Sequence, residues 1–273
     1  MKKLYITDLD GTLLNRQSQI SPKSLKIIND LIEKGMPFTY ATARSFNSAS
    51  IATKGLTLKL PVILYNGALI LDPSTKEVLS SLKFTSDEKT EITGLLRQKE
   101  AAILAYAYIN EEEKVSWTLS RENIAIQNYI QSRKGDARLR PVTNENELFE
   151  GDPFYFVCIG EKAELTELYQ KFIRLNRYHC TLQQELYRDE YWLEIMPANA
   201  TKAEAIKTLM DMYDYEKIVT FGDAINDKQM FELSDEAYAM ANAVDELKEV
   251  ATRIIGSNIE DSVATWLQEN VEI

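Results

Sequence analysis

Two aspartates, separated by one leucine, follow the first apolar segment of the chain. Asp8 and Asp10 stand in the stretch ITDLDGTLL, residues 6–14, and a glycine comes directly after the second of them. A carboxylate can attack phosphorus and form an aspartyl-phosphate, and a second carboxyl group can protonate the departing oxygen and then deprotonate water. The pair therefore has the residue types that phosphoryl transfer through a covalent intermediate requires.

Other polar side chains stand where further apolar segments end. They are, in chain order, Thr42, Arg44, Asn66, Asp223, Asn226 and Asp227. Taken singly, each fits an ordinary turn or helix cap, because Asp, Asn and Thr favour such positions. If the segments are strands of one open parallel sheet, however, their carboxyl ends share the edge at which ligands bind. The set then predicts one cleft that receives polar groups from four strands.

Several carboxylates in one cleft require a compensating positive charge. At about 4 Å and an effective dielectric constant of roughly 20, two like charges repel by ~4 kcal/mol. Oxygen ligands with no His or Cys nearby favour a hard cation, and Mg²⁺ is held by one or two carboxylates together with waters and phosphate oxygens. Calcium in an EF-hand loop does not fit. If Asp8 is the first position of such a loop, glycine is required at the sixth, where this chain has Leu13. Mg²⁺ is therefore the expected cofactor.

Lys202 adds a cationic group to this set. It follows Thr201, which together with Glu204 fits a capping box and places the lysine in the first turn of a helix. The helix macrodipole disfavours a cation there, and a bound anion would compensate; an exposed surface lysine is the ordinary alternative. A lysine, a metal and a helix N-terminus at one cleft suit a phosphate group. The sequence has no G-x-x-x-x-G-K-[ST] loop, which excludes a P-loop NTPase.

The elements that must position these residues follow from the hydrophobic pattern. Residues 4–7 predict a strand, and the next segment predicts a helix with Ser21 as N-cap, Pro22 in the first turn and Gly35 as terminator. Residues 36–42 and 60–68 predict further strands with a helical segment between them, and the alternation returns from ATKAEAIKTLMDMY to EAYAMA near the C-terminus. Such alternation indicates a doubly wound, Rossmann-like α/β core with a parallel sheet.

The middle of the chain has a different pattern. AILAYAYINEEEKVSWTL predicts two strands joined by a polar turn, AELTELYQKFIRL predicts a helix, and DPFYFVCIG and LYRDEYWLEIM predict further strands. This pattern is typical of a small α+β unit with antiparallel pairing. We therefore expect a core formed by residues 1–82 and 186–273, with an inserted α+β domain at residues 83–185.

The composition limits the class of protein. With 45% hydrophobic and 27% charged residues, the chain is typical of a globular protein, and its formal net charge of -11 argues against a nucleic-acid partner. No apolar window reaches the ~18 residues of a membrane span, and Asp8 interrupts the first apolar run too early for a signal peptide. Cys158 and Cys180 match no metal-binding spacing and are expected to be buried thiols. A cytoplasmic protein is expected, without a membrane partner and with no oligomer implied.

Together, these motifs resemble those of the haloacid dehalogenase superfamily. Their order and spacing are similar to those of its Cof-type phosphatases, subclass IIB. The matching stretches are DLDGTLL at 8–14, TAR at 42–44, NGA at 66–68, the lysine after PANAT at 202, GDAINDKQM at 222–230, YAMANA at 238–243 and SNIEDSVATWL at 257–267. The resemblance implies that the inserted domain is the family's α+β cap, which would determine substrate specificity. Ala43, Ala224 and Ser262 replace glycines that are common in the family.

The resemblance also implies roles for the polar residues. Asp8 would be the nucleophile and Asp10 the general acid/base. Thr42 and Lys202 would hold the phosphoryl oxygens, and Asn226 would contact the phosphate or the acidic loop. Arg44 and Asn66 would be supporting residues at the phosphate site.

The metal site is implied in the same way. Mg²⁺ would be bound by Asp8, by the backbone carbonyl of Asp10 and by Asp223. Asp227 would be either a further ligand or a partner that supports the others.

The expected function is that of a Mg²⁺-dependent phosphatase, a phosphoric monoester hydrolase, acting on small phosphorylated metabolites such as sugar phosphates through an aspartyl-phosphate. A sugar phosphomutase of the same superfamily is a second possibility, since it would return the phosphoryl group to its substrate. A non-catalytic metabolite-binding module is a third, although such a module needs no second acid like Asp10. The lone His179 is expected to be structural or exposed.

Overall fold

The computed structural model describes residues 2–98, 102–184 and 189–272. Its strands are β1 (Lys3–Thr7), β2 (Phe38–Tyr40), β3 (Val62–Leu64), β4 (Leu69–Leu71), β5 (Val78–Ser81), β6 (Ala102–Ile109), β7 (Glu112–Thr118), β8 (Leu139–Val142), β9 (Asp152–Gly160), β10 (Tyr178–Gln184), β11 (Tyr191–Pro197), β12 (Lys217–Gly222), β13 (Glu236–Ala239) and β14 (Arg253–Ile254). Its helices are α1 (Pro22–Glu33), α2 (Phe46–Ala52), α3 (Ser86–Arg97), α4 (Ile124–Ser132), α5 (Glu145–Leu148), α6 (Lys162–Leu175), α7 (Lys202–Tyr213), α8 (Lys228–Leu233), α9 (Asp245–Lys248) and α10 (Ser262–Asn270). None of the helices in these ranges is both long and apolar enough to span a bilayer.

The chain divides into two compact units. The core unit consists of residues 1–81 and 200–273, and the inserted unit consists of residues 82–199. The predicted boundary between residues 185 and 186 lies outside the described residues. The chain returns to the core unit later than predicted, because β11 pairs with β9 and β10 and therefore lies in the inserted unit.

The core unit is built on a parallel five-stranded sheet. Its strand order is β14-β13-β12-β1-β2, and every neighbouring pair in it is parallel. The strand order reverses at β1, whose two neighbours come from the two halves of the chain. The doubly wound parallel core expected from the sequence is confirmed, and the carboxyl ends of β1 and β12 lie side by side at the point where such sheets bind ligands.

Local sequence signals explain the first crossover helix. Ser21 is the N-cap of α1 and accepts a hydrogen bond from the N–H of Ser24 at 3.0 Å, and Pro22 occupies the first turn, where its missing N–H costs nothing. Ile28 and Leu31 on one face of α1 are buried. The helix contacts α10 near the C-terminus, so the two halves of the core unit pack against each other.

The segment predicted as one strand at residues 60–68 is divided. The strand ends at Leu64, and the chain then reverses through Tyr65, Asn66 and Gly67, which all have positive φ angles of 50°, 54° and 103°. After the reversal, β4 pairs antiparallel with β3. The strand prediction was wrong beyond Leu64 because hydrophobic patterning does not register a left-handed turn between two apolar stretches.

The inserted unit contains a second sheet with six strands. Its order is β10-β11-β9-β6-β7-β8, antiparallel except for the β7/β8 pair. Helices α3 and α6 contribute Leu96 and Phe172 to a core that also contains Phe156 and Leu193 from the strands. The mixed α+β character predicted for this region is thereby confirmed, although α3 and α4 were not predicted.

Both cysteines lie in the inserted unit. Cys158 is buried and Cys180 is half-buried, and neither forms a disulfide. Burial raises the pKa of each thiol to about 12. Both side chains therefore remain protonated near neutral pH, as expected for structural thiols.

Candidate active site

Asp8 begins a tight turn at the carboxyl end of β1. Its backbone N–H donates to the carbonyl of Phe221 in β12 at 2.9 Å, so the turn starts where the two central strands lie side by side. Within the turn, Leu9–Leu13, Gly11 has a φ angle of 76°. A Cβ atom at Gly11 would lie 2.1 Å from Oδ2 of Asp223. The turn and the Asp223 carboxylate approach this closely because residue 11 has no side chain.

Lys202 is buried, with 1% of its surface exposed, and its ammonium group joins two carboxylates. Nζ donates to Oδ1 of Asp8 at 2.6 Å and to Oδ1 of Asp227 at 2.7 Å. Lys202 is the first residue of α7, and Thr201 caps this helix by accepting the N–H of Glu204 at 3.1 Å. The predicted position in the first helical turn is confirmed, and the alternative of an exposed surface lysine is wrong.

The turn after β3 lies against the start of α7. A Cβ atom at Gly67 would be 2.1 Å from the backbone carbonyl oxygen of Thr201, so only glycine permits this approach. The turn carries Asn66, whose Oδ1 accepts a hydrogen bond from Nδ2 of Asn226 at 3.0 Å. Asn226 Oδ1 is buried and has no donor among the described residues. These contacts bring the turn after β3 and the turn after β12 together with Lys202.

Asp227 organises the turn that follows β12. The side chain is fully buried, and its Oδ2 accepts the N–H groups of Asp223 and Ala224 at 3.0 and 3.1 Å. Thr12, from the turn after β1, donates to Oδ1 of Asp223 at 2.7 Å. Asp223 is therefore held from both turns, while Asp227 is already engaged by two backbone amides and by Lys202.

The electrostatic environment of the carboxylates is unusual. Burial raises the pKa of Asp8 well above its ordinary range, although Lys202 opposes the shift. Burial also raises the pKa of Asp223 to about 7, and the nearby Asp227 adds to the effect. Burial alone would lower the pKa of Lys202, but Asp227 and Asp8 outweigh it and the net pKa is raised. The ammonium thus stays charged, whereas the carboxylates of Asp8 and Asp223 lack full compensation.

A divalent cation fits this donor set. Asp8, Asp223 and Asp227 each offer a carboxylate oxygen within 4.8 Å of the others, and Lys202 supplies one positive charge. The three carboxylates and the ammonium, when ionised, have a net charge of -2, which one divalent cation would neutralise. An all-oxygen set of this kind suits a hard cation such as Mg²⁺, so the residues present fit the metal expected from the sequence.

Thr42 and Arg44 stand at the carboxyl end of β2. Thr42 is buried, its backbone N–H donates to the carbonyl of Ile63 at 3.0 Å, and its Oγ1 accepts the backbone N–H of Arg44 at 3.1 Å. The side chain of Arg44 makes two hydrogen bonds of 2.6 Å to the two oxygens of Asp10. The structure therefore places Arg44 on the second aspartate of the opening pair.

Two asparagines near the C-terminus hold the turn after β1, and sequence reasoning did not assign them a role. Asn242 donates through Nδ2 to the carbonyl of Gly11, and Asn258 donates through Nδ2 to the carbonyl of Leu14, each at 2.8 Å. The N–H of Asn258 also donates to Oδ1 of Asn242 at 3.1 Å. Asn242 and Asn258 lie in the stretches YAMANA and SNIEDSVATWL. The resemblance of these stretches to the family's pattern was the signal in the sequence that could have identified the two residues.

Comparison with known proteins identifies the family. A family model described as haloacid dehalogenase-like hydrolase matches residues 5–267, which is nearly the whole chain. The chain belongs to this family. The resemblance inferred from the motifs is thereby confirmed.

Several known proteins match this chain over nearly their full length. A 5-amino-6-(5-phospho-D-ribitylamino)uracil phosphatase from Bacillus subtilis is 28% identical, with 98% of this chain and 97% of the relative covered. An HMP-PP phosphatase from Serratia proteamaculans is 23% identical, with 98% and 95% covered. A solved structure from Thermotoga maritima has 25% identity and a TM-score of 0.78, with 100% and 98% covered. The relatives' names agree with the expected enzyme class, a phosphatase.

Proposed function

We propose that this haloacid dehalogenase-like hydrolase is a Mg²⁺-dependent phosphatase that hydrolyses small phosphorylated metabolites through an aspartyl-phosphate on Asp8. The observation that carries the proposal is the buried Lys202 ammonium, which bonds to Asp8 and Asp227 within a cluster of three carboxylates. A buried cation and buried acids at the carboxyl ends of two central strands are costly for stability. Function is the reason to keep them.

Asp8 is the nucleophile of the first step. Lys202 holds its Oδ1 at 2.6 Å, which fixes the plane of the carboxylate at the end of β1. A carboxylate oxygen of Asp8 forms a bond to phosphorus, and the bond between phosphorus and the leaving oxygen breaks. Asp10 gives its proton to the leaving oxygen, so the alcohol departs neutral.

The second step reverses the role of Asp10. As a carboxylate, it takes a proton from water while the water oxygen bonds to phosphorus. The bond between phosphorus and the Asp8 oxygen then breaks, which releases inorganic phosphate and restores the Asp8 carboxylate. Asp10 ends the cycle protonated, ready for another leaving group.

The remaining site residues bind the phosphoryl group or the metal. Lys202, the Thr42 hydroxyl and the Asn226 amide are the donors assigned to phosphoryl oxygens, and Asn66 orients Asn226 through its 3.0 Å hydrogen bond. Asp8, Asp223 and the backbone carbonyl of Asp10 would hold Mg²⁺. Asp227 supports Asp223 and Lys202. When bound, the metal supplies positive charge that offsets the charge of the phosphoryl oxygens.

The relatives and the family support a class of substrate. One relative is named for a phosphorylated ribityl compound, so sugar and polyol phosphomonoesters are the first candidates. Another relative is named an HMP-PP phosphatase. The inserted unit, residues 82–199, is assigned the role of the family's cap domain, which selects the substrate.

Phosphate release from a panel of phosphorylated metabolites tests the proposal. The wild-type protein should release phosphate with Mg²⁺ and stop in EDTA, and Asp8→Asn should abolish release. Asp211→Asn, which changes an exposed aspartate of α7, is the matched control and should retain wild-type rates. Absence of release from the whole panel, or full activity of Asp8→Asn, would contradict the proposal. An isomeric sugar phosphate as product would identify a mutase, and binding without turnover would identify a non-catalytic module.

A further inference from the structure

We propose that Arg44 is a positioning residue for Asp10, rather than a ligand of the substrate phosphate. The proposal rests on the function proposed above, because it concerns the group that moves the proton. Arg44 fixes the orientation of the Asp10 carboxyl group in both half-reactions. Attack by Asp8 on phosphorus does not depend on it.

The contact between the two side chains is bidentate. Nε of Arg44 donates to Oδ2 of Asp10 and Nη2 donates to Oδ1, each at 2.6 Å. The guanidinium group is planar and rigid, so two parallel hydrogen bonds fix both the position and the plane of the carboxylate. An aspartate at the surface of a turn, which would otherwise adopt several rotamers, is thereby held in one.

Arg44 is itself anchored at several points. Its backbone N–H donates to Oγ1 of Thr42 at 3.1 Å, and its carbonyl accepts the N–H of Tyr65 at 3.2 Å. Its Nη1 donates to Oγ of Ser48 at 3.1 Å. Ser48 lies in the first turn of α2, where its own N–H donates to the N-cap Ser45 at 3.3 Å. Contacts with the end of β2 and with α2 therefore hold the guanidinium in place, and the guanidinium in turn holds the Asp10 carboxylate.

This geometry leaves Asp10 able to transfer protons. Each carboxylate oxygen has two lone pairs, and the guanidinium occupies one on each oxygen. The side chains are also partly open to solvent, with 31% of Asp10 and 22% of Arg44 exposed. A leaving oxygen or a water can therefore reach the outer lone pair while Arg44 keeps the carboxyl group in place.

The same geometry argues against direct phosphate binding by Arg44. At least three of the five guanidinium N–H groups are engaged, because Nε and Nη2 each donate to Asp10 and Nη1 donates to Ser48. The charge of the guanidinium is compensated by the carboxylate at 2.6 Å. The side-on pair of donors, Nε and Nη2, with which an arginine can hold a phosphate, is already occupied by Asp10.

Pre-steady-state kinetics with p-nitrophenyl phosphate and Mg²⁺ separate the two half-reactions. Nitrophenolate departs without needing a proton, so the initial burst reports the Asp8 step, whereas the steady state includes hydrolysis, which needs Asp10 as base. General acid/base catalysis contributes about 10²–10⁴-fold, and misplacing a catalytic group can cost about 10²-fold. For Arg44→Ala we expect a steady-state rate about 10²-fold lower, with a burst rate within about threefold of wild type. Asp10→Asn should show the same pattern.

Two further variants and a rescue make the result specific. Millimolar guanidinium should raise the steady-state rate of Arg44→Ala roughly tenfold, because it can occupy the position that the side chain has vacated. Arg44→Lys, which keeps the charge and loses the fork, should give an intermediate rate, and it decides the question if Arg44→Ala does not fold. Arg253→Ala, which removes an exposed arginine of β14, is the control and should behave as wild type. Mg²⁺ affinity, measured by calorimetry, should be unchanged in Arg44→Ala.

The outcomes distinguish this inference from the proposed function. Equal loss of burst rate and steady-state rate in Arg44→Ala, with no response to guanidinium, would overturn the positioning role while leaving the phosphatase proposal intact. A raised KM for p-nitrophenyl phosphate with kcat unchanged would instead identify Arg44 as a phosphate ligand. Failure of the wild type to release nitrophenolate, or turnover by Asp8→Asn, would reject the proposed function itself.

Discussion

Replacing Lys202 with methionine removes the ammonium that bridges Asp8 and Asp227. Methionine is similar in length to lysine and has no charge, so the variant leaves the carboxylates of Asp8 and Asp227 uncompensated. Their side chains are at most 8% exposed. Truncating one partner of a buried ion pair costs about 3–5 kcal/mol, because the remaining charge has lost its partner. We expect the metal-free variant to lose about this much of the free energy of unfolding at neutral pH.

Thermal and urea unfolding in EDTA, followed by circular dichroism, measure the effect. A loss of 1 kcal/mol lowers the melting temperature of a domain of this size by about 2–4 °C, so the variant should melt about 6–20 °C below wild type. Added Mg²⁺ should recover part of the difference, since the cation neutralises the same carboxylates. A variant that unfolds within about 1 kcal/mol of wild type in EDTA would refute the electrostatic reasoning.

The pH dependence supplies a second check on the same variant. The pKa of Lys202 is raised in the folded protein, so its contribution to stability is fully present below the unfolded pKa and is lost only as the pH rises through the folded value. In Lys202→Met, Asp8 has lost its cationic partner, and burial, which raises its pKa, lets it take up a proton instead. The deficit in stability should therefore shrink as the pH falls from neutral to about pH 5.

A double variant tests whether charge is the cause. Lys202→Met combined with Asp8→Asn removes a charge from each side, and replacing both partners of a buried pair by neutral groups costs less than breaking it. The double variant should be more stable than Lys202→Met alone, measured by the same unfolding curves. Additive losses would mean that packing, and not charge, accounts for the effect of the single substitution.

Three more predictions concern other parts of the chain. Gly67→Ala should unfold more readily than Gly35→Ala in urea: both residues have positive φ, which costs about 1–2 kcal/mol with a side chain, but only at Gly67 would the Cβ atom meet a backbone carbonyl at 2.1 Å. Burial lowers the pKa of His179, so its contribution to stability is present above the unfolded pKa and is lost as the pH falls through the lower, folded pKa. His179→Gln should therefore flatten the decline in melting temperature between neutral pH and about pH 5. Asp223→Asn should weaken Mg²⁺ binding at least about tenfold by calorimetry, whereas Asp211→Asn should leave it unchanged.

The sequence predicted most of the core unit, because its signals are local. Ser21 and Pro22 define the start of α1, and Thr201 defines the start of α7, by chemistry within a few residues. Asp8 and Asp223 end strands whose apolar character is continuous, so their meeting at one edge of a parallel sheet followed from topology alone. Those inferences needed only the period of the hydrophobic residues and the direction of the strands.

The contacts that were not predicted depend on the paths of separate loops. The motifs TAR and DLDGTLL do not indicate that Arg44 bonds to Asp10, because this contact depends on how the turns after β1 and β2 are placed relative to each other. The left-handed turn at Tyr65 and Asn66 was hidden for a related reason, since residues other than glycine rarely adopt positive φ. The return to the core unit was placed too early because the pairing of β11 with β9 and β10 is a long-range property.

The topology of the core sheet also sets the order in which the chain can mature during synthesis. Asp8 leaves the ribosome long before its partner, because Lys202 follows 194 positions later, and Thr12 precedes Asp223 by 211 positions. The inserted unit is a continuous stretch and is complete before either partner emerges, so it can fold first. Until β12 is added, β1 lacks one of its two neighbours in the sheet. A translation product that stops before Lys217 would therefore lack three of the five strands of the central sheet and two of the three clustered carboxylates, Asp223 and Asp227, even though it contains Asp8 and Asp10.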